Sequence, residues 1–127
     1  MTQSNYVLIY NKVRQALENE RMFLNPELSL KSLSKAVGTN TVYLSKAINQ
    51  GYGCSFSVML ANYRMDYIIA KAIETGENIE TLNEKLGFWS RSTFYDVFKS
   101  KKGASPKRFI ESIREKGIAS ISRTTLA

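Results

Sequence analysis

The chain has 127 residues, with 18 Lys plus Arg against 11 Asp plus Glu, a formal net charge of +7, one cysteine and no histidine. An internal disulfide, a Cys/His zinc cage and histidine-dependent catalysis are thereby excluded, so neither a metal nor a cofactor is expected. The basic excess favours a polyanionic partner, nucleic acid before an acidic membrane surface. Residues 1–27 carry three basic and three acidic groups, so the excess lies wholly beyond residue 27. No apolar run approaches the ~20 residues of a membrane span. Nothing resembles a secretory signal either, and a cytoplasmic, nucleoid-associated protein without membrane contact is expected.

Apolar residues recur at spacings of three and four, and prolines number only two, so the chain reads as helical throughout, an all-α protein. A first helix is predicted from about Asn5 to Glu20, with Tyr6, Tyr10, Val13 and Leu17 on one face. Met22, Phe23 and Leu24 tuck against the domain after them, and Asn25-Pro26 breaks the helix because the residue before proline avoids helical geometry. Ser29 caps a helix from Leu30 to Val37 that Gly38 ends. A second spans about Asn40 to Asn49, and a turn over Gln50 to Gly53 comes next. A long helix runs from about Ser55 to Thr75, with Phe56, Met59, Leu60, Tyr63 and Tyr67 on one stripe and Ile69 and Ile73 on another. Asn78 caps a helix to Leu86, Gly87 turns the chain, and a further helix covers about Ser90 to Lys101. Ser105-Pro106 starts a short last helix with Phe109, Ile110 and Ile113 inward. After Gly117 a frayed tail is expected.

Part of this pattern occurs twice. Leu33, Val37, Gly38, Leu44, Ile48 and Gly53-Cys54-Ser55 recur as Leu82, Leu86, Gly87, Phe94, Phe98 and Gly103-Ala104-Ser105, with one extra residue after the second central glycine. A short helix, a glycine turn and a second amphipathic helix make a helix-turn-helix, whose second helix enters a major groove. Two copies on one basic chain predict a protein that reads double-stranded DNA twice.

In the first copy Leu44, Ala47 and Ile48 form the stripe that faces the core, which leaves Thr41, Val42, Ser45 and Lys46 outward. Lys46 can donate to guanine O6 and N7, Ser45 can pair with several base edges, and Val42 can pack on a thymine methyl. Thr39 and Asn40 sit at the helix start, where free amides suit a phosphate. In the second copy Phe94, Val97 and Phe98 point inward, so Arg91, Ser92, Tyr95 and Asp96 project outward. The planar fork of Arg91 matches guanine. Asp96 repels phosphate unless it accepts from a cytosine amine or orients Arg91. Lys99, Lys101 and Lys102 lie in a stretch without an acidic residue from Val97 to Ile110 and are candidates for gripping the backbone. A linking helix of about 20 residues is about 30 Å long, close to the ~34 Å of one DNA turn.

These residues resemble the DNA-binding domain of the AraC/XylS family of bacterial transcription regulators. The resemblance covers about Leu28 to Phe109 and is strongest in LNEKLGFWSRSTFYDVFKSKKGASPKRF; LSLKSLSKAVGTNTVYLSKAI, Phe56 and Arg64 also match. It implies two helix-turn-helix subdomains, homeodomain-like three-helix lobes, joined by a long linker helix, about seven helices in all. The domain is then 28–113, with motifs at about 30–49 and 79–101 and the linker at about 55–75; residues 1–27 form a helix and connector and 114–127 a tail. It further implies base contacts by the outward faces named above and an activator that touches RNA polymerase. Ser34 and Asn83 stand where the family commonly has alanine, so Asn83 must bury an amide or push its helices apart. Arg64 fits either an ion pair within the fold or a DNA contact.

The rival reading is a helical architectural or protein-interaction module without sequence-specific DNA reading; a DNA-repair enzyme is disfavoured by the missing catalytic side chains. The short region before the motifs leads us to expect either a minimal regulator or the carboxy-terminal piece of a longer sensor, hence a monomer or, in the longer protein, a dimer.

Overall fold

The computed structural model describes the backbone of residues 2–126 and the side chains of residues 2–116. Among them are seven α-helices and no strand: α1 Gln3–Arg14, α2 Leu30–Val37, α3 Thr41–Tyr52, α4 Phe56–Thr75, α5 Ile79–Leu86, α6 Arg91–Lys102 and α7 Pro106–Leu126. The chain divides into two compact units, Met1–Asp66 and Tyr67–Ala127, with the boundary inside α4.

In the first unit, α1 runs into a π-helical turn at Gln15–Asn19, and Arg21 in the left-handed region ends it before a short 3-10 turn at Met22–Leu24. The helices start where the sequence offers caps. Ser29 Oγ accepts from the Ser32 amide at 3.1 Å while Ser32 Oγ accepts from the Ser29 amide at 2.9 Å, a reciprocal capping box that satisfies two otherwise free donors. Gly38, at φ 76°, ends α2, a conformation that costs a glycine nothing. Asn40 then caps α3 by accepting from the Tyr43 amide at 2.8 Å. Val13, Leu17, Leu33, Leu44, Ile48 and Met59 are buried together as the core, each worth about 1.5–3 kcal/mol against exposure.

The helix α3 is longer than the sequence predicts. It continues to Tyr52, and the left-handed residue that stops it is Gly53 rather than a turn beginning at Gln50. Gly51 therefore lies within the helix, and a Cβ there would come within 2.2 Å of the Tyr10 ring. The glycine is needed for close approach of α1 to α3, not for a bend. The aromatic faces of these helices mesh accordingly: Tyr10 meets Tyr52 edge-on at 5.1 Å and Tyr6 meets Tyr43 at 6.5 Å.

A polar thread runs through the same unit. The Tyr52 and Tyr63 hydroxyls lie 2.7 Å apart, Tyr63 donates to Glu18 at 3.3 Å, and Arg14 pairs with Glu18 at 3.0 Å. Burial, reinforced by the bond to Tyr63, pushes the Tyr52 hydroxyl well above the ordinary tyrosine range; burial is also the main cause of the upward shift at Tyr63.

In the second unit Asn78 caps α5 by accepting from the amides of Glu80 and Thr81. Gly87, at φ 70°, ends α5, and Ser90 caps α6 by accepting from the Thr93 amide. Phe94 and Phe98 are fully buried, with rings 5.8 Å apart, and Phe98 meets Phe109 of α7 at 5.5 Å. Along α4 the second apolar stripe consists of Ile68 and Ala72, while Ile73 is 44% exposed; the expected Ile69–Ile73 stripe is rotated by one residue, because the i, i+4 pair at 68 and 72 takes the core. The last helix also differs from expectation. Its backbone stays helical to Leu126, since a single interior glycine costs only ~1 kcal/mol and does not by itself end a helix. The side chains of the expected tail beyond residue 116 lie outside the described residues.

Asn83 resolves the packing question raised by the sequence. It is only 3% exposed, yet its Nδ2 donates to the Trp89 carbonyl at 2.9 Å and its Oδ1 accepts from the Trp89 amide at 3.2 Å. The amide side chain thus satisfies both backbone groups of a residue in the longer turn between α5 and α6. Ser34, its counterpart in the first motif, donates to the Lys31 carbonyl of its own helix at 2.7 Å.

Gly51→Ala is expected to lose stability although alanine favours helix by ~1 kcal/mol, because overpacking against Tyr10 costs about 1–3 kcal/mol; urea denaturation would show it, and adding Tyr10→Ala should recover part of the loss. Asn83→Ala, by stranding the Trp89 amide and carbonyl, should destabilise the second unit by about 1–3 kcal/mol, read as a lower denaturation midpoint. The raised tyrosines work in one direction only: their stabilisation is whole below the unfolded value near pH 10 and is lost as pH climbs above it, where the unfolded phenols ionise first. Unfolding titrations between about pH 8 and about pH 11 should therefore show falling stability, with a shallower fall in Tyr52→Phe.

Candidate nucleic-acid interface

Both motifs present their second helix with one face in the core and the other in solvent. On α3, Leu44, Ala47 and Ile48 are buried, whereas Val42 is 59% exposed, Lys46 is exposed, and Thr41 and Ser45 are half-buried beside them. Val42 thus stands as an exposed apolar side chain among polar ones on this face. Asn40 is exposed and Thr39 half-buried at the helix start. The Asn40 carboxamide oxygen is already committed to the cap, which leaves its NH₂ as the donor available to an anion. Asn49, one turn beyond Ser45, folds back and donates to the Ser45 carbonyl at 2.9 Å.

On α6, Phe94 and Phe98 are buried and Val97 is half-buried, while Arg91, Ser92 and Asp96 are exposed and Tyr95 is half-buried. The side chain of Arg91 is 82% exposed. Its carboxylate neighbour is not Asp96. Glu80, in the first turn of α5, places Oε2 at 3.7 Å from Arg91, and its Oε1 accepts the Tyr95 hydroxyl hydrogen. That bond to Glu80 is the largest cause of an upward shift at the Tyr95 hydroxyl. The sequence could not assign this role, because a glutamate in a first helical turn already has a reason to be there, the favourable field of the helix N-terminus.

The basic side chains divide by surroundings. Lys99 is exposed, whereas Lys101 and Lys102 are half-buried, and the Lys102 ammonium stands 5.7 Å from the centre of the Phe109 ring. Lysine stems commonly lie along apolar surface with the charge at the edge, so partial burial of Lys102 is compatible with a phosphate contact. Arg64 belongs to the fold instead. It is 7% exposed, and it donates to the carbonyls of Phe23 at 3.0 Å and Asn25 at 2.8 Å, holding the connector before α2 against α4. Burial lowers its guanidinium pKa. Among the described residues no helix is long and apolar enough to cross a membrane.

Comparison with known proteins points the same way. A family model of a helix-turn-helix domain matches residues 33–112, well over half of the chain. An uncharacterized HTH-type transcriptional regulator of Staphylococcus aureus is 28% identical over 103 residues, covering 81% of this chain and 14% of that protein. The HTH-type transcriptional regulator AdiY of Escherichia coli is 23% identical over 111 residues, covering 87% of this chain and 42% of AdiY. The chain therefore spans less than half the length of these relatives. Among solved structures, the C-terminal domain of AraT, a response regulator from Geobacillus stearothermophilus, superposes with a TM-score of 0.71 at 28% identity, covering 82% of this chain and 84% of that one. A Listeria innocua protein of unknown function gives 0.63 at 27% identity, covering 78% and 94%. The family is one of transcription regulators rather than an enzyme class. With two glycine-turned motifs, each offering a solvent-facing second helix, the chain belongs to the AraC/XylS family of DNA-binding transcription regulators.

Proposed function

We propose that this chain reads two adjacent major-groove segments of double-stranded DNA, one with α3 and one with α6, and thereby activates transcription. The observation that carries the proposal is the outward face of each second helix. Thr41, Val42, Ser45 and Lys46 in one unit and Arg91, Ser92, Tyr95 and Asp96 in the other combine donors, acceptors and a small apolar group on surfaces that packing does not use. That mixture suits base edges, since donors and acceptors can pair with them and an exposed valine can pack on a thymine methyl. Thr39, Asn40, Lys99, Lys101 and Lys102 flank these faces and hold the phosphates, fixing register without reading sequence. Activation through contact with RNA polymerase is what the family resemblance implies.

A footprint tests the reading against a non-reading architectural module. The proposal expects a defined protected site of about two turns, and uniform protection of unrelated DNA would overturn it. Affinity should fall steeply with salt, by ~0.9 in its logarithm per tenfold change for each phosphate neutralised. Replacing Arg91 or Lys46 by alanine should cost about 1–3 kcal/mol on the selected site and relax preference at one base pair. Lys99→Ala should instead weaken all sequences alike and lower the salt slope by about 1. Binding-site selection and then titration at several salt concentrations measure all three.

A further inference from the structure

Glu80 has no part in the core and lies on neither of the two reading helices. It sits in the first turn of α5, its side chain 30% exposed, with one carboxylate oxygen facing Arg91 and the other accepting from Tyr95. Arg91 and Tyr95 are one helical turn apart on α6, so a single acid on the neighbouring helix hydrogen-bonds one side chain of the outward face and forms an ion pair with the next.

We propose that Glu80 is a specificity-determining residue of the second motif, which orients Arg91 and Tyr95 for base edges and penalises their use on phosphate. The inference rests on the DNA-reading role proposed above for α6.

Each partner of Glu80 is constrained in its own way. Arg91 has five N–H donors in a rigid fork. With its guanidinium 3.7 Å from the Glu80 carboxylate, an ion-pair distance rather than a hydrogen bond, the fork is biased toward Glu80 by charge and its N–H donors stay available for guanine O6 and N7, which are neutral acceptors. A phosphate in the same place brings its negative charge up to the Glu80 carboxylate, and like charges at short range repel. Glu80 therefore leaves the guanine contact nearly untouched and weakens the indiscriminate one. The Tyr95 hydroxyl hydrogen is given to Glu80, so the oxygen acts only as an acceptor, with the Arg91 guanidinium beside it as one donor and a lone pair left for another. An oxygen that can only accept pairs with the exocyclic amine of adenine or cytosine and not with thymine O4 or guanine O6. The second motif should thus combine guanine at the Arg91 position with an amine-bearing base at the Tyr95 position.

The test uses the full chain, with its own selected site and random duplex DNA of equal length as probes. Glu80→Gln keeps an oxygen for Tyr95 and removes the charge. It should bind random DNA more tightly, so that the ratio of selected to random affinity falls about five- to tenfold, within the range one base contact supplies. Tyr95→Phe should leave the guanine preference intact and abolish discrimination at the amine-bearing position. Urea denaturation of both variants establishes that they fold like the parent. An unchanged affinity ratio in Glu80→Gln overturns the role of Glu80 while the parent still selects a site. If the parent itself selects no sequence, the DNA-reading role fails first and this inference falls with it. Should Glu80→Gln not fold, an unaltered base preference in Tyr95→Phe would overturn the proposal by itself.

Discussion

The burial of Leu44, Ala47 and Ile48 in the first unit, and of Phe94 and Phe98 in the second, sets the rotation of α3 and α6 about their own axes. One residue of rotation is about 100° on a helix, so a slip would carry leucine or phenylalanine into water and bring a lysine or aspartate into the core. Each large apolar side chain so exposed forfeits about 1.5–3 kcal/mol, and an unpaired buried charge costs more. Which side chains of α3 and α6 face outward follows from that anchoring. The glycines at 38 and 87 serve it by letting the preceding helix stop within a residue, so that the next helix departs at the angle its buried face requires.

The two motifs solve the same packing problem with different chemistry. In the first, a short turn and a serine at position 34 suffice, and α1 supplies an aromatic flank through Tyr6 and Tyr10. In the second, the turn is one residue longer, and the Asn83 carboxamide takes up the backbone polar groups that the longer turn would otherwise leave unpaired. A residue that departs from the family's usual alanine is thus matched to the turn it faces. Among the described residues no buried side-chain nitrogen or oxygen lacks a hydrogen-bond partner, which is what keeps such polar insertions compatible with a stable interior.

Charge is arranged with comparable economy. The basic excess lies after residue 27, and within α6 it gathers toward the C-terminal turn at Lys99, Lys101 and Lys102, where cations also favour the helix dipole. The N-terminal turn of α6 carries Arg91 and the facing acid Glu80 instead. The two ends of the helix therefore differ in charge, the C-terminal turn being purely basic and the N-terminal turn balanced by a carboxylate. Arg64 marks the contrast: a guanidinium buried on backbone carbonyls is a structural fastener, whereas one in solvent beside a single carboxylate keeps donors to spare.

Local chemistry and hydrophobic period specify a large part of this protein before any contact between helices is known. The helical class, the caps at Ser29 and Asn78, the glycine stops and the buried stripes of α3 and α6 are legible, because propensity, capping and spacing all act within a few residues. Other features exist only through packing between distant segments. The need for glycine at position 51 within α3 comes from Tyr10, on a different helix, which leaves room only for a hydrogen at that site. The fate of Asn83 depends on the path of the turn that holds Trp89, and that of Arg64 on two carbonyls far upstream, at Phe23 and Asn25. Glu80 shows the limit most clearly, since its partners Arg91 and Tyr95 lie on another helix and are brought to it by packing between helices, an interaction that no spacing along the chain encodes.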